Sequence, residues 1–126
     1  MAIRSRFDAQ VGILFTTADG LLSFAVIQEH LDEETRSDEI AHPEIFDATQ
    51  ARTDLTAEEV RALVKRLVEM SHNRRFGPTA VICTNEVVCG MASMLGILSD
   101  IADGPQVQAF RTFDEGLNWL IRVKPR

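Results

Sequence analysis

Short apolar segments alternate with segments of helical character along most of this chain, and this alternation limits the folds it can adopt. The clearest pair is residues 79–84, TAVICT, whose apolar middle suits a strand buried on both faces, followed by a helix over residues 86–101. Strands that alternate with helices of 10 to 17 residues form parallel pairs through crossover connections. We therefore predict an α/β fold with one mostly parallel sheet.

The predicted order is β-β-α-β-α-β-α-β-α. The first two strands form an antiparallel hairpin at one edge of a five-stranded sheet, and Asp19-Gly20 ends the second strand. Two helices begin with a capping box, at Thr56 and at Thr112, in which a threonine hydroxyl and a glutamate carboxylate satisfy free backbone N–H groups. Strands are predicted at residues 2–7, 11–17, 44–48, 79–84 and 106–110, and helices begin near residues 21, 56, 86 and 112.

The size and composition are those of one globular domain. The chain has 126 residues, 45% of them hydrophobic, and a net charge of -6. We assign residues 1–122 to the domain and 123–126 to a short C-terminal tail. The negative charge argues against nucleic acid as a partner, because phosphate binding needs clustered Lys and Arg.

Neither a signal peptide nor a membrane span is predicted. The charge-free stretch of residues 87–99 is shorter than the roughly 20 apolar residues that cross a bilayer. Cys83 and Cys89 lie six residues apart, and we predict two buried, reduced thiols. These features predict a cytoplasmic protein with no membrane insertion.

Two segments resemble the STAS domain of anti-sigma-factor antagonists, and in particular its SpoIIAA-like group of mostly uncharacterised bacterial proteins. The first reads IFDAT at residues 45–49 and DLTAEE at 54–59, similar to the group's strand, linker and second helix. The second, FRTFDEGLNWL at 110–120, is similar to its last strand and helix. The resemblance implies a STAS/SpoIIAA-like fold over nearly the whole chain.

The resemblance also implies a function. STAS regulators act through protein contacts and are switched by phosphorylation of a Ser that follows an Asp at the second helix; this chain has Asp54-Leu55-Thr56 there, so we expect Thr56 to act only as a cap. We predict a non-enzymatic regulatory or protein-binding module without a cofactor. Because the wider group is similar to lipid-carrying folds, the alternative is a carrier of a lipid or an anionic metabolite.

The carboxyl ends of the parallel strands are the predicted ligand or partner face, since α/β sites usually lie there. Helix N-termini at this face favour anions, although such caps also occur for stability alone. The residues predicted on this face are Thr49, Arg52, Thr56, Asn85, Arg111 and Thr112.

No metal site is predicted. The three histidines, His30, His42 and His72, are not spaced as a ligand set. Residues 29–47 contain eight acidic residues and only one basic residue, Arg36, and we predict that this run is solvated and does not bind a cation.

The third helix lacks the charged outer side that a surface helix normally has. Either it is a well-covered core helix, or its outer side meets another molecule. Gly90, Ser93 and Gly96 would then allow close helix approach. We predict a homodimer with this helix at the interface, formed by Val87, Met91, Met94 and Leu98.

Overall fold

A computed structural model describes residues 3–123, which form five strands and four α-helices in the predicted order. A short 3-10 helix, Asp38–Ala41, precedes the third strand. The predicted tail lies outside the described residues except for Val123, the C-cap of the last helix. The strands are β1 (Ile3–Asp8), β2 (Ile13–Leu22), β3 (Glu44–Thr53), β4 (Thr79–Ile82) and β5 (Val107–Phe110), and the helices are α1 (Phe24–Thr35), α2 (Ala57–Ser71), α3 (Glu86–Ile101) and α4 (Phe113–Arg122).

The strands lie in the order β1-β2-β3-β4-β5 within one sheet. β1 and β2 are antiparallel, and the three other neighbouring pairs are parallel. The predicted hairpin and the mostly parallel sheet are thus confirmed. None of the described helices is long and apolar enough to cross a membrane.

The two faces of the sheet carry separate cores. On β4, Val81 packs in a cluster with residues of α1 and α3, whereas Ala80 and Ile82 pack with Leu120 of α4. A third cluster joins α1, α2 and α3 through Leu31, Leu63 and Leu95, among others. Alternation along the strands therefore divides the apolar side chains between three helices on one face and one helix on the other.

β2 and β3 are longer than predicted. Asp19-Gly20 does not end β2, because Gly20 adopts a positive φ of 77° and the strand continues to Leu22. Between the pairs Thr17–Asp47 and Asp19–Gln50, β3 advances by one residue more than β2, which is a bulge. Leu21 and Leu22 consequently pair with β3, and α1 begins only after its N-cap, Ser23.

The prediction of reduced thiols is wrong. Cys83 and Cys89 form a disulfide that ties the residue after β4 to the second turn of α3. Both residues are buried, as predicted. Their Cα atoms lie 5.5 Å apart, within the range that a disulfide requires. Stable disulfides are rare in the reducing cytosol, so this bond does not support the predicted cytoplasmic location.

Candidate functional site

A cavity of about 150 Å³ lies between the sheet and helices α1, α2 and α3. Most of its wall is apolar. An apolar cavity of about this volume can stay dry and accept a ligand the size of benzene. Each surrounding element contributes to the wall, for example Leu22 from β2, Leu31 from α1, Leu63 and Leu67 from α2, and Leu95 from α3.

The apolar stripes of the helices explain why the cavity is apolar. In α2, Val60, Leu63 and Leu67 recur at helical spacing and are all buried. These residues form the buried face of α2, and the capping box of Thr56 and Glu59 fixes where the helix begins. The inner faces of the three helices leave a space instead of closing completely on the sheet.

One part of the cavity wall is polar and charged. His30 and Glu34, one turn apart on α1, meet Glu44, the first residue of β3. The Nε2 atom of His30 lies 3.3 Å from Oε1 of Glu34 and 3.8 Å from Oε2 of Glu44. We call these three residues the His30 cluster.

Neighbouring strands hold the Glu44 carboxylate in place. The hydroxyl of Thr16, on β2, donates a 2.5 Å hydrogen bond to its Oε2 atom. The hydroxyl of Thr79, on β4, donates a longer hydrogen bond, of 3.4 Å, to Oε1. Thr16 and Glu44 are both buried. The carboxylate is thus fixed between two strands while it faces the helices.

The charges of the His30 cluster perturb one another. Burial by itself would lower the pKa of His30, but the carboxylates of Glu34 and Glu44 outweigh it and raise the pKa to about 10. Burial and the nearby charge of Glu44 raise the pKa of Glu34, while His30 partly opposes them. The cluster therefore holds a protonated imidazole against its carboxylates at neutral pH.

The ion pair leaves the imidazole without a directed hydrogen bond at Nε2. His30 is only 8% exposed, and Nε2 makes no hydrogen bond of acceptable geometry to any residue in the described part of the chain. The contacts to Glu34 and Glu44 are electrostatic. A buried nitrogen that water cannot reach normally has a partner.

The sequence did not predict this cluster. Glu34 and Glu44 belong to the acidic run predicted to be solvated, yet Glu44 is buried and the Glu34 side chain is only 14% exposed. Glu33 and Asp38, in the same run, are exposed as predicted. The i, i+4 spacing of His30 and Glu34 was the available indication, whereas the approach of Glu44 depends on the tertiary fold.

The residues predicted at the strand ends serve mainly as caps. Thr56 accepts a hydrogen bond from the backbone N–H of Glu59, Asn85 from those of Val87 and Val88, and Thr112 from that of Glu115. Each cap thus satisfies its own helix. Sequence reasoning located these three helix starts correctly.

The remaining predicted residues of that face are Thr49, Arg52 and Arg111. Thr49 lies within β3, where its hydroxyl donates to the Asp47 carboxylate at 2.7 Å. Arg52, also in β3, is exposed. Arg111 pairs with Glu86 at 2.7 Å, and both side chains are more than half exposed. The guanidinium of Arg111, on the predicted ligand or partner face, thus already faces a carboxylate of the protein.

The residues of the predicted α3 interface differ in their exposure to solvent. Val87 is 53% exposed, but Met91, Met94 and Leu98 are half-buried, and Met91 lines the cavity. The large exposed side chains farther along α3 are those of Ile97 and Ile101.

Gly96 has a role inside the fold. A Cβ atom at this position would overlap the backbone carbonyl of Val107, so the glycine lets α3 pack directly on β5. The close approach predicted for Gly96 is therefore made to the protein's own sheet.

Comparisons with known proteins identify the fold. No protein-family model matches the chain, and no curated protein matches it. Five solved chains are similar to it. One is an uncharacterised protein of the DUF3478 family with a SpoIIAA-like fold from Shewanella loihica PV-4, with a TM-score of 0.56 and 19% sequence identity, over 94% of this chain and 92% of that chain. This chain therefore has a SpoIIAA-like fold, as its sequence predicts.

Proposed function

We propose that this protein is a non-enzymatic binding module that holds a small, mainly apolar molecule in the cavity between the sheet and helices α1–α3. The observation that carries the proposal is the cavity itself, since well-packed interiors leave few voids larger than a water molecule. A wall of leucine and isoleucine side chains with one charged cluster is typical of a pocket for a small ligand. The alternative that the sequence presented was a carrier of a lipid or an anionic metabolite, whereas this cavity suits a smaller apolar molecule.

The volume limits the class of ligand. A cavity of about 150 Å³ suits a molecule with roughly as many heavy atoms as benzene, such as a small aromatic compound or a short aliphatic chain. A two-chain lipid is too large for a cavity of this volume. The ligand's apolar part lies against Leu63 and Leu95, and a polar end, where it has one, lies toward the His30 cluster.

The test uses benzene and indole as probes, together with native mass spectrometry of freshly purified protein. We expect each probe to raise the melting temperature, because a ligand that binds only the folded state stabilises it. Leu95→Trp fills the cavity and should abolish the shift. The matched control, Ile97→Trp, alters an exposed position of the same helix and should preserve it. The absence of both a shift and a co-purified molecule would disprove the proposal.

A second candidate function, self-association, is supported by a different observation. Ile97 is 62% and Ile101 76% exposed, and both line a groove with Trp119 beside β5. β5 is an edge strand, whose free backbone groups can pair with another strand. We propose that this surface, more than Met91 or Met94, forms the interface of the predicted homodimer, in which the same patch meets itself.

Sedimentation tests the dimer separately. The double variant Ile97→Glu/Ile101→Glu should give a folded monomer, whereas Ile121→Glu, at an exposed position of α4, should leave the dimer intact. Wild-type protein that sediments as a monomer at about 100 μM, where a micromolar dimer is mostly assembled, would rule out this interface.

A further inference from the structure

The His30 cluster has the composition of a metal-binding site. One ligand atom from each of His30, Glu34 and Glu44 lies within 4.8 Å of the others. Imidazole nitrogen and carboxylate oxygen together form a borderline ligand set, which suits zinc and other divalent transition metals better than calcium. The three residues come from a helix and a strand, which are rigid supports.

Two distances within the cluster are close to those around a bound ion. Nitrogen and oxygen ligands lie about 2.0–2.2 Å from zinc, so two ligands of a tetrahedral ion are about 3.3–3.6 Å apart. In the structure, His30 Nε2 is 3.3 Å from the Glu34 carboxylate and 3.8 Å from the Glu44 carboxylate. The two carboxylate oxygens lie within 4.8 Å of each other, so the carboxylates would have to approach each other by up to about 1 Å to share one ion.

The buried imidazole gives an independent indication. His30 is 8% exposed, its Nε2 atom points into the cluster, and this atom makes no hydrogen bond to the residues that the structure describes. A metal ion at the centre of the cluster would displace the proton on Nε2 and give this nitrogen the directed partner that the two carboxylates do not supply.

A set of supporting residues is also present. Metal-binding carboxylates are usually oriented by hydrogen bonds from neighbouring side chains. The hydroxyl of Thr16 supplies such a bond to Glu44 at 2.5 Å, and Thr16 lies in turn 2.9 Å from the hydroxyl of Ser5. A chain of hydrogen bonds from β1 through β2 thus positions one of the three ligands.

We propose that His30, Glu34 and Glu44 bind one divalent transition-metal ion, with zinc as the ion that fits best, at the wall of the cavity. Three protein ligands leave one position of a tetrahedral ion for water or for the polar end of a molecule in the cavity. This proposal does not depend on the proposed ligand-binding function, because the metal ligands all belong to the protein.

The test uses chelator-treated full-length protein and zinc chloride or cobalt chloride alone at pH 8, with no apolar probe. We expect one zinc ion per chain and a melting temperature raised by more than about 5 °C when zinc is well above its dissociation constant. Bound cobalt should give the strong visible absorption of a four- or five-coordinate ion. If zinc binds but benzene and indole do not, only the ligand-binding function fails. If benzene or indole binds but zinc does not, only the metal proposal fails.

Matched variants locate the ion. Glu34→Gln and His30→Gln should each abolish the zinc-dependent shift, whereas Glu33→Gln, one residue away and exposed, should preserve it. An equal shift in Glu34→Gln and Glu33→Gln would place the ion elsewhere and overturn the proposal. If the cluster variants fail to fold, the test relies on the wild-type protein alone. Bound cobalt with the pale spectrum of an octahedral ion would overturn the proposal, and so would the absence of bound zinc.

Discussion

The hydroxyl of Thr16 donates a 2.5 Å hydrogen bond to the carboxylate of Glu44, and both residues are almost entirely removed from solvent. Thr16 lies on β2 and Glu44 on β3, so the bond joins neighbouring parallel strands on the face that α1, α2 and α3 cover. A buried carboxylate without a donor is costly. The bond therefore both stabilises the sheet and fixes one corner of the His30 cluster.

Thr16→Val should reduce the free energy of unfolding by about 2 kcal/mol, because it preserves side-chain shape but removes a buried hydrogen bond to a charged group. Urea denaturation measures the change. Thr17→Val, at the exposed neighbouring position, is the control and should change stability by less than about 0.5 kcal/mol. Equal effects of the two variants would show that the loss of stability is a general effect of valine in strand β2 and not of the missing hydrogen bond to Glu44.

The metal-free protein should become less stable as the pH rises from 6.5 to about 10, since the pKa of His30 is raised from 6.5 to about 10 on folding. The sign follows from linkage: the folded state retains a proton that the unfolded state releases, so this stabilisation is complete below pH 6.5 and is lost as the pH passes the folded-state pKa. The raised pKa of Glu34 acts in the same direction, beginning above 4.5.

Urea denaturation at a series of pH values measures the slope of the free energy of unfolding against pH. Few other groups titrate in the window, because the chain has no tyrosine and both cysteines are bonded. His30→Gln should flatten the slope, and His72→Gln, at an exposed histidine, should leave it unchanged. A wild-type slope that His30→Gln does not alter would assign the pH dependence to other groups.

The order of the elements could be predicted from the sequence because each helix carries its own local indications. Thr56, Asn85 and Thr112 begin α2, α3 and α4 as predicted, since capping depends on residues only three positions apart. The end of β2 could not be predicted in the same way. Asp19-Gly20 has the composition of a turn, but pairing with β3 and a bulge carry the strand across it.

The His30 cluster could not be predicted because its members are brought together by the fold. The acidic run between residues 29 and 47 has no pattern that separates the buried Glu44 from the exposed Glu33. The face of the sheet on which the Glu44 side chain lies depends on the register of β3. A register shift of one residue would move this side chain to the opposite face. The cavity likewise results from how closely three helices approach the sheet.

Reduction of the Cys83–Cys89 disulfide should lower the free energy of unfolding by about 2 kcal/mol, the loss expected for a bond that closes a short loop. Urea denaturation with and without reductant measures the difference. The double variant Cys83→Ala/Cys89→Ala is the control and should be insensitive to reductant. Wild-type protein whose mass does not increase by two hydrogen atoms on reduction would contradict the presence of the bond.

Two glycines of α3 should respond in opposite directions to the same substitution. A Cβ atom at Gly90 would meet nothing within 4 Å, so Gly90→Ala should stabilise the protein by about 0.5–1 kcal/mol through the better helix propensity of alanine. A Cβ atom at Gly96 would overlap the carbonyl of Val107, and the helix would have to move away from β5. Gly96→Ala should therefore cost about 1–3 kcal/mol, as overpacking does in other cores. Urea denaturation of the two variants compares them directly, and stabilisation by both would show that α3 does not rest on β5 at Gly96.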